Sequence, residues 1–283
     1  MIGGALTSGR LLIIGGGEDR EDDKAVLDTF VDLCGGAGSK IVVITAASKI
    51  GEKVYEIYDA AFRALGVTGH APVHIETRIS ANDPATAERI AAADGIFITG
   101  GDQKRLLSLV GGTAIDAVIR SALARGAVLA GTSAGASAMS AHMLAYGRPG
   151  TVPEKGTIGM GAGFGFLQHI IIDQHFSERH RLTRLLTLVG QNPQLLGVGI
   201  DEDTALLIEC GKAIEVFGSG TVTVVDGRDM VTNMLDIARR EVPEMIDVRL
   251  HIFPAGTRHV LDDVDPSRTR SMADFLNIVT TVT

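Results

Sequence analysis

Ala127-Val128-Leu129-Ala130-Gly131-Thr132-Ser133-Ala134-Gly135-Ala136 is the stretch that decides the fold. An apolar run leads into Gly-x-Ser-x-Gly, and Ser137-Ala138-Met139-Ser140-Ala141 continues with helical character. That order reads as a buried strand, a sharp turn and a helix, with a hydroxyl presented at the turn. The glycines let backbone approach closely where a Cβ would clash. The hydroxyl would stand at the strand's end over a helix N-terminus, whose dipole favours developing negative charge. This is the setting of a serine nucleophile. In a chain with 35 glycines the pentapeptide alone is a weak signal, so its strand–turn–helix context carries the reading.

Working outward from this turn, short apolar runs alternate with helical patterns. Strands are expected at Leu11–Ile14, Lys40–Thr45, Val73–Ile75 and Gly95–Thr99. Helices are expected at Asp22–Leu33, Lys53–Leu65, Asp83–Ala93 and Gly112–Leu123, the third opened by Asp83 as cap with Pro84 behind it. Continuously apolar strands alternating with helices indicate an α/β fold, with a mostly parallel central sheet covered by helices on both faces, as in flavodoxin-like proteins. In such sheets ligands bind beyond the carboxyl ends of the strands.

After about residue 195 the strands come closer together, at Leu196–Ile200, Thr204–Ile208, Ala213–Phe217 and Thr221–Val225. They read as an antiparallel extension of the same sheet in the C-terminal third. Asp247–Phe253 adds a strand and Ser271–Ile278 a last helix. No linker or repeat divides residues 1–283, so one domain is expected, with residues after about 235 as its extension.

The 283 residues are 45% hydrophobic, which is ample core for such a domain. A net charge of −8, with no aromatic-interleaved basic run, argues against a nucleic-acid partner. Two cysteines, Cys34 and Cys210, make no disulfide framework and read as reduced core thiols. Met1–Arg10 lacks the pattern of a signal peptide, and no apolar run spans a membrane. A cytoplasmic enzyme is the expectation.

A serine nucleophile needs a base, an acid that orients the base, and oxyanion donors. Among eight histidines, His175 stands out, because Ile170-Ile171-Ile172-Asp173-Gln174-His175 puts it just past an apolar strand, on the sheet edge expected for Ser133. His142 falls in the helix after the turn, and His180 on a charged helix. Asp201-Glu202-Asp203 places three carboxylates at another strand end, and the residues alone do not choose among them. Backbone N–H groups of Ala134 and of the Thr99-Gly100-Gly101-Asp102-Gln103 turn are candidate oxyanion donors.

Three further stretches flank these groups. Arg179, Arg181 and Arg184 sit on a helix beginning at Ser177; guanidinium forks bind carboxylates, but the spacing keeps all three from sharing one helix face. Gly15-Gly16-Gly17 reads as a wall of the site, because neither nucleotide-binding glycine motif is present. Gly159–Gly165 reads as a connector or a mobile lid. No metal-binding motif appears and no cofactor is expected.

Taken together, Gly15-Gly16-Gly17-Glu18-Asp19, Gly100-Gly101-Asp102-Gln103, the Ser133 turn, Asp173-Gln174-His175-Phe176 and Asp201-Glu202-Asp203-Thr204-Ala205 resemble the cyanophycinase family, in that family's order and over roughly residues 10 to 230. The resemblance implies serine peptidases related to dipeptidase E, with a fold like class I glutamine amidotransferases. It implies an exopeptidase acting on cyanophycin, a polyaspartate with arginine on each β-carboxyl, and releasing β-Asp-Arg through an acyl-enzyme. By motif it makes Ser133 the nucleophile, His175 the base and Glu202 the acid, with Asp201 second. Gly101 and Ala134 would hold the oxyanion, while Gln103, Asp173, Gln174, Arg179, Arg181 and Arg184 would line the substrate pocket. It also implies a homodimer. A dipeptidase E-like aspartyl dipeptidase, which takes its acid from elsewhere in the chain, and a non-catalytic amidotransferase-like binding protein are the alternatives.

Overall fold

The computed structural model describes residues 9–263 and 270–283; residues 1–8, the bulk of the stretch read for a signal peptide, lie outside them. The chain begins β1 (Arg10–Ile14), α1 (Ala25–Cys34), β2 (Ile41–Ile44), α2 (Gly51–Ala64), β3 (His70–Val73), α3 (Pro84–Ala91) and β4 (Gly95–Ile98). Then come α4 (Gln103–Val110), α5 (Ala114–Ala124), β5 (Val128–Thr132), α6 (Ala134–Ser137), β6 (His142–Tyr146) and β7 (Gly159–Ala162). The last part holds β8 (Ile170–Gln174), α7 (Leu182–Gln191), β9 (Leu196–Ile200), β10 (Thr204–Glu209), β11 (Ala213–Gly218) and β12 (Thr221–Asp226). It closes with β13 (Val231–Thr232), β14 (Met245–Ile246), β15 (Arg249–Pro254), β16 (Arg258–Val260) and α8 (Arg270–Thr280).

An eight-stranded sheet runs β16-β11-β10-β1-β5-β4-β2-β3. β1, β5, β4, β2 and β3 are parallel, and β10, β11 and β16 extend the sheet antiparallel. Alternate side chains bury opposite ways, as the two-residue period requires. Leu11, Ile13, Ile98 and Leu129 pack on the face with Leu106 and Ile119 of α4 and α5. Leu12, Ile14, Phe97 and Val128 pack on the other, against Phe30 and Phe62 of α1 and α2. The expected α/β layering is observed.

Three differences from the sequence expectation concern the strands and the Ser133 turn. β3 lies at His70–Val73 rather than Val73–Ile75, pairing Ile41 with His70 through Ile44 with Val73. Pro72 is tolerated there because β3 is the sheet's edge. The antiparallel extension is split: β10 and β11 join the main sheet, while β9 and β12 belong to a separate sheet ordered β15-β12-β9-β8. Both edges of β9 are taken, by β8 and β12, so the chain leaves one sheet at Ile200 and enters the other at Thr204. Finally, the helix after Ser133 is one turn, so His142 opens β6 instead of lying in it, and Gly159–Ala162 is its strand partner rather than a lid. The helix stops because Ala138, Met139 and Ser140 carbonyls accept from Phe164, Phe166 and Gly165 N–H groups.

Candidate active site

Three consecutive carbonyls at the end of β1 gather the site. Ile14 O accepts from Ser133 N (3.1 Å), Gly15 O from His175 N (2.7 Å) and Gly16 O from Asp203 N (2.9 Å). Ends of strands from both sheets are thereby tied to one stretch of backbone. Gly16 has φ +93, and a Cβ there would lie 2.5 Å from His175 Nε2. On Gly17 a Cβ would lie 2.9 Å from a Glu202 carboxylate oxygen. The glycines are therefore the wall on which imidazole and carboxylate rest.

Ser133 has φ +51, a strained angle for a residue with a Cβ, of the kind that costs about 1–3 kcal/mol and clusters at active sites. His175 (φ +47) and Asp203 (φ +46), next to Glu202, share it. Ser133 Oγ lies 2.9 Å from His175 Nε2, and His175 Nδ1 lies 2.6 Å from Glu202 Oε1. A carboxylate only accepts, so Nδ1 carries the proton and Nε2 is left to accept from the hydroxyl. Burial depresses the His175 pKa below 6.5; Glu202 opposes this, and the Arg179 and Arg181 charges reinforce it. The imidazole is thus poised as a neutral base.

The other two carboxylates of the turn are engaged elsewhere. Asp201 is buried, accepting from Ser177 N (3.0 Å) through Oδ1 and from Thr221 N and Oγ1 (2.9 and 2.8 Å) through Oδ2. Asp203 Oδ1 accepts from Asp19 N (2.9 Å). Glu202 alone of the three reaches the imidazole.

Among the comparisons, the profile of peptidase family S51 matches residues 11–216. The chain belongs to peptidase family S51. A cyanophycinase of Geminocystis herdmanii is 38% identical over 251 residues, covering 88% of this chain and 92% of that protein. A cyanophycinase of Trichormus variabilis is 35% identical over 254 residues, covering 89% and 85%. A crystal structure of a peptidase from an acI-B1 actinobacterium superposes with a TM-score of 0.64 at 21% identity, covering 91% of this chain and 98% of that one. At that identity it speaks for the fold alone.

Within this S51 chain the remaining expected site residues fall into two groups. Ala134 N–H opens α6, and a Cβ on Gly100 would lie 3.3 Å from Ser133 Cβ, so the Gly100-Gly101 turn stands over the serine. Gly101 takes φ +145, with its Cα side pressed on the Ala47 carbonyl. α6 spans only four residues, so its macrodipole is short and the local N–H groups matter more than the expected dipole. Arg179 is exposed in a turn, not a helix; α7 begins at Leu182. Gln103 Nε2 donates to Leu144 O (2.9 Å) at half-buried depth.

Asp173, expected to line the substrate pocket, is fully buried. Arg184 Nε donates to its Oδ2 (2.6 Å), Arg184 Nη2 pairs with its Oδ1, and Arg181 Nη1 lies 3.3 Å from Oδ1. With no exposed surface and both oxygens taken by internal arginines, it is corrected to a structural anchor. Arg181 also pairs with the Gln174 backbone and side-chain oxygens, and Gln174 Nε2 donates to Ser137 Oγ (3.3 Å). Burial pulls the Arg181 guanidinium down to about 10, still charged at neutral pH. Two of the three arginines thus converge on one carboxylate, despite the helical spacing, because Arg181 precedes α7 and Arg184 lies in its first turn.

One residue at the site carries a part that the sequence did not signal. Glu18 is buried behind Ser133, accepting from Thr132 Oγ1 (2.7 Å) and from the Tyr58 hydroxyl. It braces the residue preceding Ser133. Its place directly after the glycine run was the available cue. Cys34 and Cys210 are buried thiols pushed up by burial to about 12 and about 11, far from thiolate chemistry. Among the described residues, no single helix is long and apolar enough to cross a membrane.

Proposed function

We propose that the chain is a serine exopeptidase that cleaves cyanophycin to β-Asp-Arg, with Ser133, His175 and Glu202 as its catalytic triad. The observation that carries the reading is the hydrogen-bonded chain from Ser133 Oγ through His175 to Glu202. Substantial identity to cyanophycinases over most of both chains supports the substrate class.

Ser133 Oγ attacks the α-peptide carbonyl between two aspartates while His175 Nε2 takes its proton. Glu202 holds the Nδ1 proton and stabilises the imidazolium. The N–H groups of Ala134 and Gly101 receive the oxyanion, each such donor worth about 3 kcal/mol of barrier. His175 then protonates the leaving amine. Water then attacks the ester carbonyl while the same imidazole takes its proton, and as the acyl–Oγ bond breaks His175 passes that proton to Ser133 Oγ. The exposed Arg179 and half-buried Gln103 are the expected groups that substrate meets first, with Arg181, Arg184, Asp173 and Gln174 shaping the floor from within.

A dipeptidase E-like activity is not favoured, because Glu202 already fills the acid position in the segment matched by the cyanophycinase motif. The likeness to a putative peptidase E structure of Listeria monocytogenes, at 18% identity and a TM-score of 0.50, speaks only for the fold. We read the protein as cytoplasmic, in keeping with two free buried thiols, and as a homodimer, for which β15 leaves Ile252 63% exposed on a sheet edge.

Incubation with cyanophycin, followed by mass spectrometry, tests the reading. Release of β-Asp-Arg by the wild type and none by Ser133→Ala is expected. Absence of the dipeptide from the wild type overturns the substrate; equal release by both overturns the nucleophile.

A further inference from the structure

A cleft of about 450 Å³ is walled by the segment after β6, the first turns of α7 and the chain around residue 240. Arg148, Arg184, Arg239 and Arg240 all line it. Arg184 is committed, spanning from Asp173 to Gly147 O (2.8 Å). The guanidinium groups of Arg148, Arg239 and Arg240 have no ion-pair or hydrogen-bond partner among the described residues, and all three residues are exposed. Like charges gathered at one rim repel, and an anion placed between them relieves that.

The two arginines at 239 and 240 are on a fastened segment. Arg240 N donates to Lys155 O (2.9 Å) and Lys155 N to Glu241 O (3.0 Å). Lys155 Nζ donates to Leu235 O (2.9 Å) and Ile237 O (2.8 Å). The Arg239 side chain lies over Gly156, where a Cβ would come within 3.1 Å of it. Glu154 brings one carboxylate to the same cleft, with no side-chain partner among the described residues. The cleft therefore offers three open cations and one open anion. Arg184 joins it to the catalytic strand end, since Asp173 precedes His175 by two residues, about 7 Å of extended chain.

We propose that this cleft is a second substrate subsite, which binds the arginyl side group of a repeat other than the one being cut. Arg148, Arg239 and Arg240 take its free α-carboxylate, and Glu154 takes its guanidinium. The inference rests on the substrate reading above. When arginine is joined through its α-amine to a β-carboxyl, the side group ends in both a free carboxylate and a guanidinium, and the cleft is their charge complement. Guanidinium forks meet carboxylates bidentately, and the volume suits a group of this size.

The test is calorimetric binding to the Ser133→Ala chain of a four-repeat β-Asp-Arg oligomer. The second ligand is the same oligomer made with agmatine, which keeps the guanidinium and lacks the carboxylate. The agmatine oligomer is expected to bind about tenfold more weakly, the effect of one charge-assisted hydrogen bond. Adding Arg148→Ala, Arg239→Ala and Arg240→Ala together should weaken the arginine oligomer by a similar factor and leave the agmatine oligomer unchanged. Equal affinity for the two oligomers overturns the proposal, whatever the triple variant does. So does an agmatine penalty that persists in full in the triple variant, which would assign the carboxylate to Arg179. Both oligomers share a terminal carboxylate, so the difference reports the side groups alone. Failure of the substrate reading is seen separately, as absence of β-Asp-Arg from the Ser133-intact chain.

Discussion

In the eight-stranded sheet, β1, β2, β4 and β5 bury nearly every side chain on both faces, and Ser133 follows directly from the last of them. In the four-stranded sheet, β9 alternates glycine with apolar residues. A Cβ on Gly197 would meet Leu185 Cγ at 2.8 Å, and one on Gly199 would meet Phe176 Cγ at 2.5 Å. That thin strand lets α7 and the His175 segment close down, so the second sheet brings His175 and Glu202 to a serine held by the first. The lesson is that the Ser133 turn is a local feature, whereas its hydrogen-bond partners reach it only through the seam at Ile14–Gly16.

The largest effect is expected at the nucleophile. Ser133→Ala should lower kcat by about 10⁶, and His175→Ala by a similar factor, with the double variant no worse than either single one. Additive losses would mean that the two sheets contribute independently. Next comes the acid. Glu202→Gln should lower kcat by about 10³, less than the ~10⁴ typical of a fully buried partner, because the Glu202 side chain is 38% exposed. Asp201→Ala should instead lower stability by about 1–3 kcal/mol, since it removes a buried carboxylate that accepts from Ser177 N and from Thr221 N and Oγ1. Denaturant melts and steady-state kinetics on both variants separate the roles; the reverse pattern would make Asp201 the acid.

Gly16→Ala attacks the seam itself. A displaced imidazole should cost about 10² in kcat, the usual price of an ångström of misplacement, with the circular dichroism spectrum unchanged. The smallest effect is electrostatic. The acid limb of kcat/KM should have its midpoint below 6.5, because His175 is depressed by burial and by Arg179 and Arg181. Arg179→Ala removes one positive neighbour and should move that midpoint up. The same shift links to folding: below 6.5 the unfolded chain binds the proton that native His175 refuses. Its contribution to stability is therefore complete above 6.5 and falls away as pH drops from there toward the native pKa.

Much of this was legible from residues close together in the chain. Leu11–Ile14, Ile41–Ile44 and Val128–Ala130 announced their strands because both sides of each are buried. The Asp83-Pro84 start of α3 was legible too, and the Asp83 side chain accepts from Thr86 N (2.8 Å). α4 was not legible, although Asp102 caps it in the same way, accepting from Lys104 N (2.8 Å), because the glycines before it read as a turn. The end of α6 was not legible, because carbonyls at 138–140 are taken by residues near 165. The residues alone left Asp201, Glu202 and Asp203 open, and the family motif was what pointed to Glu202; the enclosure of Asp173 was not legible, since it depends on arginines eight and eleven residues away.

Fluorophosphonate labelling with peptide mapping bears most directly on the joined alcohol, imidazole and carboxylate. A single adduct is expected, on Ser133, forming at least about a hundredfold more slowly in His175→Ala, within the usual contribution of a general base. Labelling at the same rate in that variant, or an adduct on another residue with Ser133 untouched, would contradict it.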